Sequence, residues 1–383
     1  MIHIIDKTEC CGCSSCAQKC PKHCITMTQD EEGFLYPIVQ TTTCIDCGLC
    51  ERVCPILTAK QPHEPLKVFA AKHPEEEIRK KSSSGGVFTM LAENIVQEGG
   101  VVFGARWDEN WNVVHDFTKT LEGIKFFRGS KYVQSNINGN YKQAEAFLKE
   151  GRKVLFSGTP CQIAGLKAFL QKENDNLITV EVACHGVPSP MVWTKYLNEV
   201  IAKRNIMCIN EINFRNKKYG WNSYHFSIDY INHNGKSLTM IHPHGDNPFY
   251  RGFLNHLYIR PSCYACKSKG CASGADITIA DFWGIDKLER TLDDNKGYST
   301  LIANTAKGLT LILSTCGELP EYPYREIIKF NSALIKSLNK TSLSDEFWKS
   351  KDCIVDIVER LCGDSLLLRL KKQFSKIIQK KSV

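Results

Sequence analysis

Cysteine is the residue type whose spacing points most directly to chemistry in this chain. Two runs of four cysteines share the spacing C-x2-C-x2-C-x3-C, and each run is followed by proline. The runs are Cys10, Cys13, Cys16, Cys20 and Cys44, Cys47, Cys50, Cys54. Three thiolates two residues apart can wrap a short loop around three irons of a cubane, and the fourth iron takes a thiolate from the opposite run. The spacing therefore predicts two interleaved [4Fe–4S] clusters.

The interleaving fixes which cysteines are expected to share a cluster. The first cysteine set is Cys10, Cys13, Cys16 and Cys54. The second cysteine set is Cys20, Cys44, Cys47 and Cys50. This is the ligand pattern of a bacterial two-cluster ferredoxin. Zinc knuckles and disulfides are the alternatives, but zinc sites usually pair two C-x2-C hooks and need only four ligands.

Composition limits the remaining classes of protein. The chain has 383 residues, 43% of them hydrophobic and 23% charged, which is ordinary for a globular protein of two or three domains. Ten of its nineteen cysteines lie within the first 54 residues, and eight of these ten are in ligand spacings. Cysteines in that arrangement indicate metal binding in a reducing compartment rather than a disulfide framework.

Charge and hydropathy exclude further classes. Six of the eight net positive charges lie in residues 365–383, so no basic groove for nucleic acid is expected. That segment reads as an amphipathic helix, which either packs its apolar stripe on protein or lies peripherally on an anionic membrane face. No leader segment and no apolar stretch of membrane-spanning length is found, so we expect a cytoplasmic protein.

The pattern along the chain predicts three parts. A two-cluster ferredoxin domain fills residues 1–58, a mixed α/β domain residues 66–345, and a basic helical tail residues 346–383, with a Pro-punctuated linker over 58–65. In the middle part, strands are predicted over 67–72, 101–106, 113–118, 154–157 and 177–183, with helices over 87–97 and 163–172 and from Pro190 onward. Asn234-Gly235 predicts a hairpin turn. The predicted fold class is therefore α+β or α/β, with cysteine-bearing loops at the carboxyl ends of sheet strands.

A third group of cysteines is scattered. Cys161 and Cys184 each follow a predicted strand, and Cys263 and Cys266 form a lone C-x2-C pair, with Cys271 five residues further on. Such a pair is a zinc hook, a redox pair or a coincidence in a cysteine-rich chain. If the two loops face one crevice, four thiolates converge there and could hold a third cluster. The other cysteines, at positions 11, 24, 208, 316, 353 and 362, are expected only to pack.

The run Ser82-Ser83-Ser84-Gly85-Gly86 precedes a predicted helix. Its glycines would let the backbone approach a phosphate, and the helix would direct N–H groups toward it. On the sequence alone, a plain turn between two helices is the favoured explanation of the run. No G-x-G-x-x-G motif follows a strand and no P-loop lysine motif is present, so an ordinary dinucleotide or P-loop nucleotide site is not expected.

Several of these stretches together resemble one family. They are SSSGGVF at 82–88, GSKYVQS at 129–135, SGTPCQ at 157–162, CHGVPS at 184–189 and DITIADFWG at 276–284. With them the chain resembles, from about residue 1 to 340, the coenzyme F420 hydrogenase/dehydrogenase beta-subunit family, in its bacterial type with an N-terminal ferredoxin that occurs beside polysaccharide-synthesis enzymes.

The resemblance implies cofactors and ligands. Family members bind FAD and an iron–sulfur cluster, and the family pattern maps onto Cys161, Cys184, Cys263 and Cys266, called here the third cysteine set, with Cys271 as the substitute ligand. It also implies flavin or substrate contacts in the serine-glycine loop, the Lys131 loop and the loop after the strand at 154–157. These candidate contacts are Ser83, Ser84, Gly85, Gly86, Lys131 and Thr159.

The function implied is that of an iron–sulfur flavoprotein oxidoreductase. Electrons would pass between an external ferredoxin or other low-potential donor and a small organic substrate, through the clusters and FAD, with polysaccharide biosynthesis as the implied setting. The alternative is an electron-transfer subunit of a larger redox complex, or a coenzyme F420 reducing subunit, without substrate chemistry of its own. His185, beside the cluster loop, is the titratable candidate for a proton donor, and no catalytic residue is assigned.

Overall fold

The computed structural model describes residues 1–363, so the predicted helix over 365–383 lies outside the described residues. Twelve strands lie within this range: β1 Ile25–Gln29, β2 Leu35–Val39, β3 Lys67–Ala71, β4 Val101–Trp107, β5 Val113–Thr118, β6 Val154–Gly158, β7 Leu177–Val182, β8 Ile206–Asn216, β9 His225–Asn232, β10 Ser237–Pro243, β11 Ile277–Asp281 and β12 Ser299–Ala303. None of the helices in these residues is long and apolar enough to cross a membrane.

The helices of the described residues are mostly short. They are α1 Ser15–Lys19, α2 Leu49–Arg52, α3 Glu76–Lys81, α4 Val87–Gln97, α5 Asn140–Lys149, α6 Pro160–Leu170, α7 Pro190–Arg204, α8 Pro248–Leu254, α9 Ile285–Leu288, α10 Ala306–Cys316, α11 Tyr324–Phe330, α12 Ser342–Lys349 and α13 Ile354–Cys362. A 3₁₀ helix at Pro261–Ala265 carries the first cysteine of the C-x2-C pair. The predicted boundary between residues 345 and 346 falls inside α12.

The N-terminal cysteine loops share one backbone conformation. In the first loop Gly12 and Ser14 have φ values of 69° and 65°, and the equivalent residues of the second loop, Asp46 and Gly48, have 49° and 69°. Left-handed residues at these two positions curl the loop, and the Asp46 backbone N–H donates to Cys44 Sγ at 3.4 Å. The duplication seen in the sequence is therefore also a duplication of loop geometry.

The large sheet of the central part is mixed, as predicted. Its strand order is β3-β12-β11-β7-β6-β4-β5. The four inner strands β11, β7, β6 and β4 are parallel to one another, and β12 and β5 flank them in the antiparallel direction. The parallel strands consequently end at one edge of the sheet, which is where open α/β sheets place their binding crevices.

Local sequence signals explain how the two loops after β6 and β7 lead into helices. Helix α6 begins at Pro160, three residues before its predicted start, because proline fits the first helical position and Thr159 N donates to Gln162 Oε1 at 2.9 Å. Helix α7 begins as predicted, with Ser189 Oγ accepting from Val192 N at 3.3 Å and Pro190 next.

A second sheet has the order β10-β9-β8 and carries the predicted hairpin turn. An aromatic core lies between this sheet and helices α7 and α8, with Trp193, Phe214, Phe226 and Phe249 all buried. Helix α13 packs against the same helices, and Glu199 accepts from the first backbone N–H groups of α13. Residues 346–362 are thus part of this layer.

Asp276 joins the inner strands and gives a stability test. Its buried carboxylate accepts from Thr179 N at 2.8 Å, Thr179 Oγ1 at 2.7 Å and Thr305 Oγ1 at 2.8 Å. Asp276→Ala is expected to lower the free energy of unfolding by about 3 kcal/mol, because it leaves buried donors without an acceptor. Chemical denaturation measures this, with the exposed Asp345→Ala as the control. Equal stability of the two variants would contradict the expectation.

Candidate functional site

The second cysteine set lines one cavity of the N-terminal unit. The cavity wall includes all four of its cysteines, together with Met1, Ile45 and Val39. Cys24, which the sequence predicts only to pack, lies on the same wall with its Sγ 3.3 Å from Cys20 Sγ. Cys47 is exposed, so this cavity lies close to the protein surface.

The first cysteine set is more deeply buried. The pKa of Cys16 is raised above its ordinary value, first by burial and then by the charges of Cys13, Cys10 and Cys54. The three cysteines that act on Cys16 are the other three members predicted for its set. The chain fold therefore brings this set together across the whole N-terminal unit.

The third cysteine set is drawn from three separate segments. Burial raises the pKa of Cys184 well above its ordinary value, Lys269 opposes this, and Cys263, Cys161 and Cys266 raise it further. All four cysteines of the set therefore lie within electrostatic reach of one another. Cys271 does not join them, because its thiol donates to Asn304 Oδ1 at 3.4 Å.

Backbone pairing holds the two later segments of this set against each other. Pro188 and Ile259 form an antiparallel bridge, and Arg260 N donates to Val187 O at 3.0 Å. Lys269 Nζ donates to Cys184 O at 2.5 Å and fixes the start of the same loop. The C-x2-C pair thereby lies beside the loop that follows β7, although about 80 residues separate them in the chain.

The first and third sets meet at helix α6. Ser15 Oγ donates to Gly165 O at 2.8 Å, and a Cβ at Gly165 would lie 2.8 Å from Cys13 Cβ. Cys161, in the first turn of this helix, packs against the N-terminal core, and a hydrogen bond from Cys11 lowers the pKa of Cys161 to about 6. The N-terminal unit is therefore docked directly onto the third set.

The donor chemistry of the three sets fits iron–sulfur clusters. Each set offers four thiols and no imidazole or carboxylate, and soft thiolates favour iron–sulfur clusters or zinc. Among residues 1–363, no group of Cys, His, Asp or Glu side chains converges as the ligands of a single metal ion do. The ligand assignments themselves stay predictions.

A large cleft of about 430 Å³ opens at the carboxyl edge of the parallel strands. Its wall includes Ser83, Ser84, Gly86, Lys131 and Thr159, five of the six candidate cofactor contacts. Cys184 and His185 also line it, so the third cysteine set borders the cleft.

The sixth candidate, Gly85, does not line the cleft. A Cβ on it would lie 2.5 Å from Ala71 O and 2.7 Å from Ser299 N, so the glycine makes room for the ends of β3 and β12. Ser83 Oγ in turn accepts from Ser130 N at 2.7 Å and from Ser130 Oγ at 2.9 Å, which ties the serine-glycine loop to the loop that carries Lys131.

Two titratable side chains of the cleft have strongly shifted pKa values. Burial lowers the pKa of Lys131 to about 7, and its ammonium donates to Arg128 O at 3.1 Å and Gly129 O at 3.2 Å. Burial, then His256 and Lys269, lower the pKa of His185 to about 4. His185 is accordingly neutral at pH 7 and lies 3.1 Å from His256 through their Nε2 atoms.

Other cleft residues were missed in the sequence. Arg215 is buried and pairs with Asp281 through two contacts of 2.8 and 3.1 Å, while its Nε has no partner within residues 1–363. Asp281 lies within the motif at 276–284, which was the available signal, whereas nothing singled out Arg215 on β8. His115 forms hydrogen-bond contacts with Ser135 Oγ at 2.9 Å and Ser157 O at 3.0 Å, below the same cleft.

Two family models match this chain, and both describe parts of one family. Residues 68–139 match the model of the N-terminal part of the beta subunit in coenzyme F420 hydrogenase/dehydrogenase, and residues 151–317 match the model of the C-terminal part of that beta subunit. A comparison with curated protein sequences finds no match.

Solved structures also align along most of the chain. Among them is the xenon-derivatized F420-reducing [NiFe] hydrogenase complex from Methanosarcina barkeri, with 18% sequence identity and a TM-score of 0.46, covering 78% of this chain and 91% of that chain. The family models span most of the central part, from the strand before the serine-glycine loop to the end of α10. The chain belongs to the coenzyme F420 hydrogenase/dehydrogenase beta-subunit family.

Proposed function

We propose that this protein is an electron-transfer subunit of a redox complex. In this proposal the first, second and third cysteine sets each hold a [4Fe–4S] cluster, and the cleft beside the third set binds FAD. The family assignment makes it an oxidoreductase-type protein, and the family is defined by a beta subunit, which works together with other chains. Partner subunits are therefore part of the proposal.

The observation that carries the proposal is the continuity of the three sets with the cleft. The second set lies near the surface, the first set is buried behind it, and Cys161 of the third set packs against the first. Cys184 of the third set then lines the cleft. A chain of sites from the surface to a cleft is what an electron carrier needs.

The cleft residues have roles suited to a flavin. Ser83, Ser84 and Gly86 would hold it from one loop and Lys131 from the next, with Thr159 at the start of α6, where helix N–H groups favour phosphate. A bound flavin would exchange single electrons with the clusters and a hydride with an organic molecule. The hydrogen bonds between Ser83 and Ser130 hold the two loops in a fixed relation.

A second candidate function is reduction or oxidation of an organic substrate by this chain itself. The observation favouring it is that the cleft extends past the two loops to Arg215, whose Nε has no partner among the described residues, and to Tyr224, whose ring centre lies 4.0 Å from the Arg215 guanidinium carbon. Aromatic side chains line that end of the cleft and would suit a small ligand. A role in polysaccharide synthesis would belong to this reading.

One preparation tests the proposal. Protein purified without oxygen should contain about twelve irons per chain, a matching amount of sulfide and one releasable flavin. Reduction by a low-potential ferredoxin should bleach the flavin without any added substrate. Protein that holds no iron and takes up no flavin would refute it, and turnover of an organic substrate by the isolated chain would favour the second candidate.

Lys131 predicts a pH dependence of ligand binding. Its lowered pKa of about 7 means that the neutral amine predominates at pH 8, whereas an anion beside Nζ favours the charged form. Binding of FAD at about pH 8 should therefore take up close to one proton, and binding at about pH 6 should take up almost none. Calorimetry in two buffers of different ionisation enthalpy measures this uptake.

Two controls accompany that measurement. Lys131→Met should abolish the uptake, while Lys125→Met, at an exposed lysine paired with Glu122, should leave it unchanged. Riboflavin, which lacks phosphate, should bind without uptake if Lys131 faces the phosphates. Equal uptake in wild-type protein and Lys131→Met would remove Lys131 from the site.

The cellular setting belongs to the same proposal. Free thiols in ligand sets require a reducing compartment, so we propose a cytoplasmic protein with a ferredoxin or another low-potential carrier as its electron partner. Peripheral membrane attachment through residues 365–383 remains a hypothesis based on their sequence alone.

A further inference from the structure

Arg260 is a buried arginine at the junction of the N-terminal unit and the central part. Its side chain is 1% exposed. Its guanidinium donates to Cys10 O at 2.8 Å, to Leu35 O at 2.9 Å and to Gln134 Oε1 at 3.0 Å. It also lies against the Cys10–Gly12 backbone, since a Cβ at Gly12 would be 2.7 Å from Arg260 Nη1.

Its charge has no carboxylate partner within residues 1–363, which sets it apart from two other buried arginines. Arg79 pairs with Asp294 at 2.6 Å and Arg215 pairs with Asp281 at 2.8 Å. In the same part of the chain no ion pair involves Arg260. A buried guanidinium that meets only carbonyl and amide oxygens keeps a large electrostatic cost, because dipoles compensate a full charge only in part.

The remaining neighbours of Arg260 are aromatic rings and sulfur. The guanidinium carbon lies 4.5 Å from the Tyr36 ring centre and 5.3 Å from that of Phe34, and Nη2 lies 3.7 Å from Cys10 Sγ. The rings stabilise a cation without neutralising it. Cys10 belongs to the first cysteine set, so a cluster held by that set would place a ligand thiolate against the Arg260 guanidinium.

We propose that Arg260 is the counter-charge of the cluster held by the first cysteine set, and that it raises the reduction potential of this cluster above that of an otherwise equal site. This inference rests on the proposed function. Reduction adds one electron, and so one negative charge, to a site that already carries four thiolates, and a fixed buried cation stabilises the reduced form more than the oxidised form. Hydrogen bonds to ligand sulfur act in the same direction.

The backbone of Arg260 also contacts the segments that carry the third set. Arg260 O accepts from Cys263 N at 2.9 Å, and Arg260 N donates to Val187 O beside the Cys184 loop. Arg260 therefore places its guanidinium beside Cys10 of the first set, while its main chain helps to shape the third set. An electron entering from the surface would meet a favourable step at the first set before it reaches the cleft.

The test is a potentiometric titration of the full chain, prepared anaerobically and followed by electron paramagnetic resonance. Arg260→Gln should shift the reduction equilibrium of the first-set cluster toward the oxidised form by at least tenfold, about 59 mV for a one-electron couple. The first-set signal is identified as the one that disappears in Cys10→Ser. Arg260→Lys, which keeps the charge, should shift less, and Arg79→Gln, which removes another buried arginine, should leave this potential in place.

Each outcome has one meaning. Unchanged potentials in Arg260→Gln, with all wild-type signals present, overturn this inference and leave the proposed function standing. A wild-type chain without any iron–sulfur signal overturns both. If Arg260→Gln fails to assemble the first-set cluster, Arg260→Lys decides between the readings. A reduction potential near the wild-type value in Arg260→Lys supports the counter-charge. Loss of the first-set signal in Arg260→Lys as well would mean that Arg260 is only structural.

Discussion

Replacing Cys263 with serine lowers the iron content of anaerobically prepared protein from about twelve to about eight atoms per chain, if the third cysteine set holds a four-iron cluster. The loss is expected to be complete at this site, because Cys263 is one of only four predicted thiolates, which the pairing of the segments around Pro188 and Ile259 helps to bring together. Iron and sulfide analysis measures it. The signals of the first and second sets should remain.

Cys271→Ser is the matched control for that experiment. Cys271 is a buried cysteine near the same pair in the chain, but it faces Asn304 rather than the third set. Its replacement should leave the iron content at the larger value. Iron loss in Cys271→Ser with full iron in Cys184→Ser would make Cys271 the fourth ligand, and full iron in both Cys161→Ser and Cys263→Ser would end the assignment of a third cluster.

Gly165→Leu is expected to separate the N-terminal unit from helix α6. A Cβ at this position would lie 2.8 Å from Cys13 Cβ, 3.0 Å from Cys13 Sγ and 2.9 Å from the Tyr141 hydroxyl, so the larger side chain cannot fit without moving the first cysteine loop. Overpacking of this kind costs about 1–3 kcal/mol. The linker at 58–65 should become sensitive to limited proteolysis, and electron transfer from the N-terminal clusters to the cleft should slow by at least tenfold.

Gly139→Leu serves as the control, because within residues 1–363 no atom beyond its chain neighbours lies within 4 Å of the Cβ position at Gly139, and its φ of −91° suits any residue. Replacing a glycine inside a helix with alanine normally raises the free energy of unfolding by about 0.5–1 kcal/mol. At Gly165 we expect even alanine to lower the free energy of unfolding, because its Cβ would lie 2.8 Å from Cys13 Cβ. A stabilising Gly165→Ala would show that the docking of α6 on the first cysteine loop is looser than the distances imply.

The sequence predicted the central sheet well where hydrophobic runs end in clear turn or capping signals. Helix α4 has its predicted bounds, strand β5 likewise, and strands β3, β4, β6 and β7 lie within one residue of their predictions. Pro190 and Ser189 located the start of α7 because the first helical turn has strict requirements. Strand alternation and caps are local properties, so a single sequence carries them.

The cleft was predictable only in part, since it depends on contacts between distant segments. The glycine-rich run led to the prediction that Gly85 contacts a ligand. In the structure, the missing Cβ of Gly85 instead lets the ends of β3 and β12 come together. Arg215 lies on β8 and meets Asp281 across 66 residues of sequence. No spacing rule in the sequence predicts such a pair, so it could be found only from the structure and the burial of Arg215.

The origin of the third cysteine set in three distant segments has a consequence for how the protein is made. The cysteines of the first and second sets all lie within the first 54 residues, so clusters bound there could be inserted while most of the chain is still on the ribosome. The third set exists only after the parallel strands have paired and the segment around Arg260 has joined the loop after β7. Contacts between distant segments form late in folding. If the three sets hold clusters as proposed, we expect metal delivery to this chain in two rounds, the second of them after the central sheet has folded.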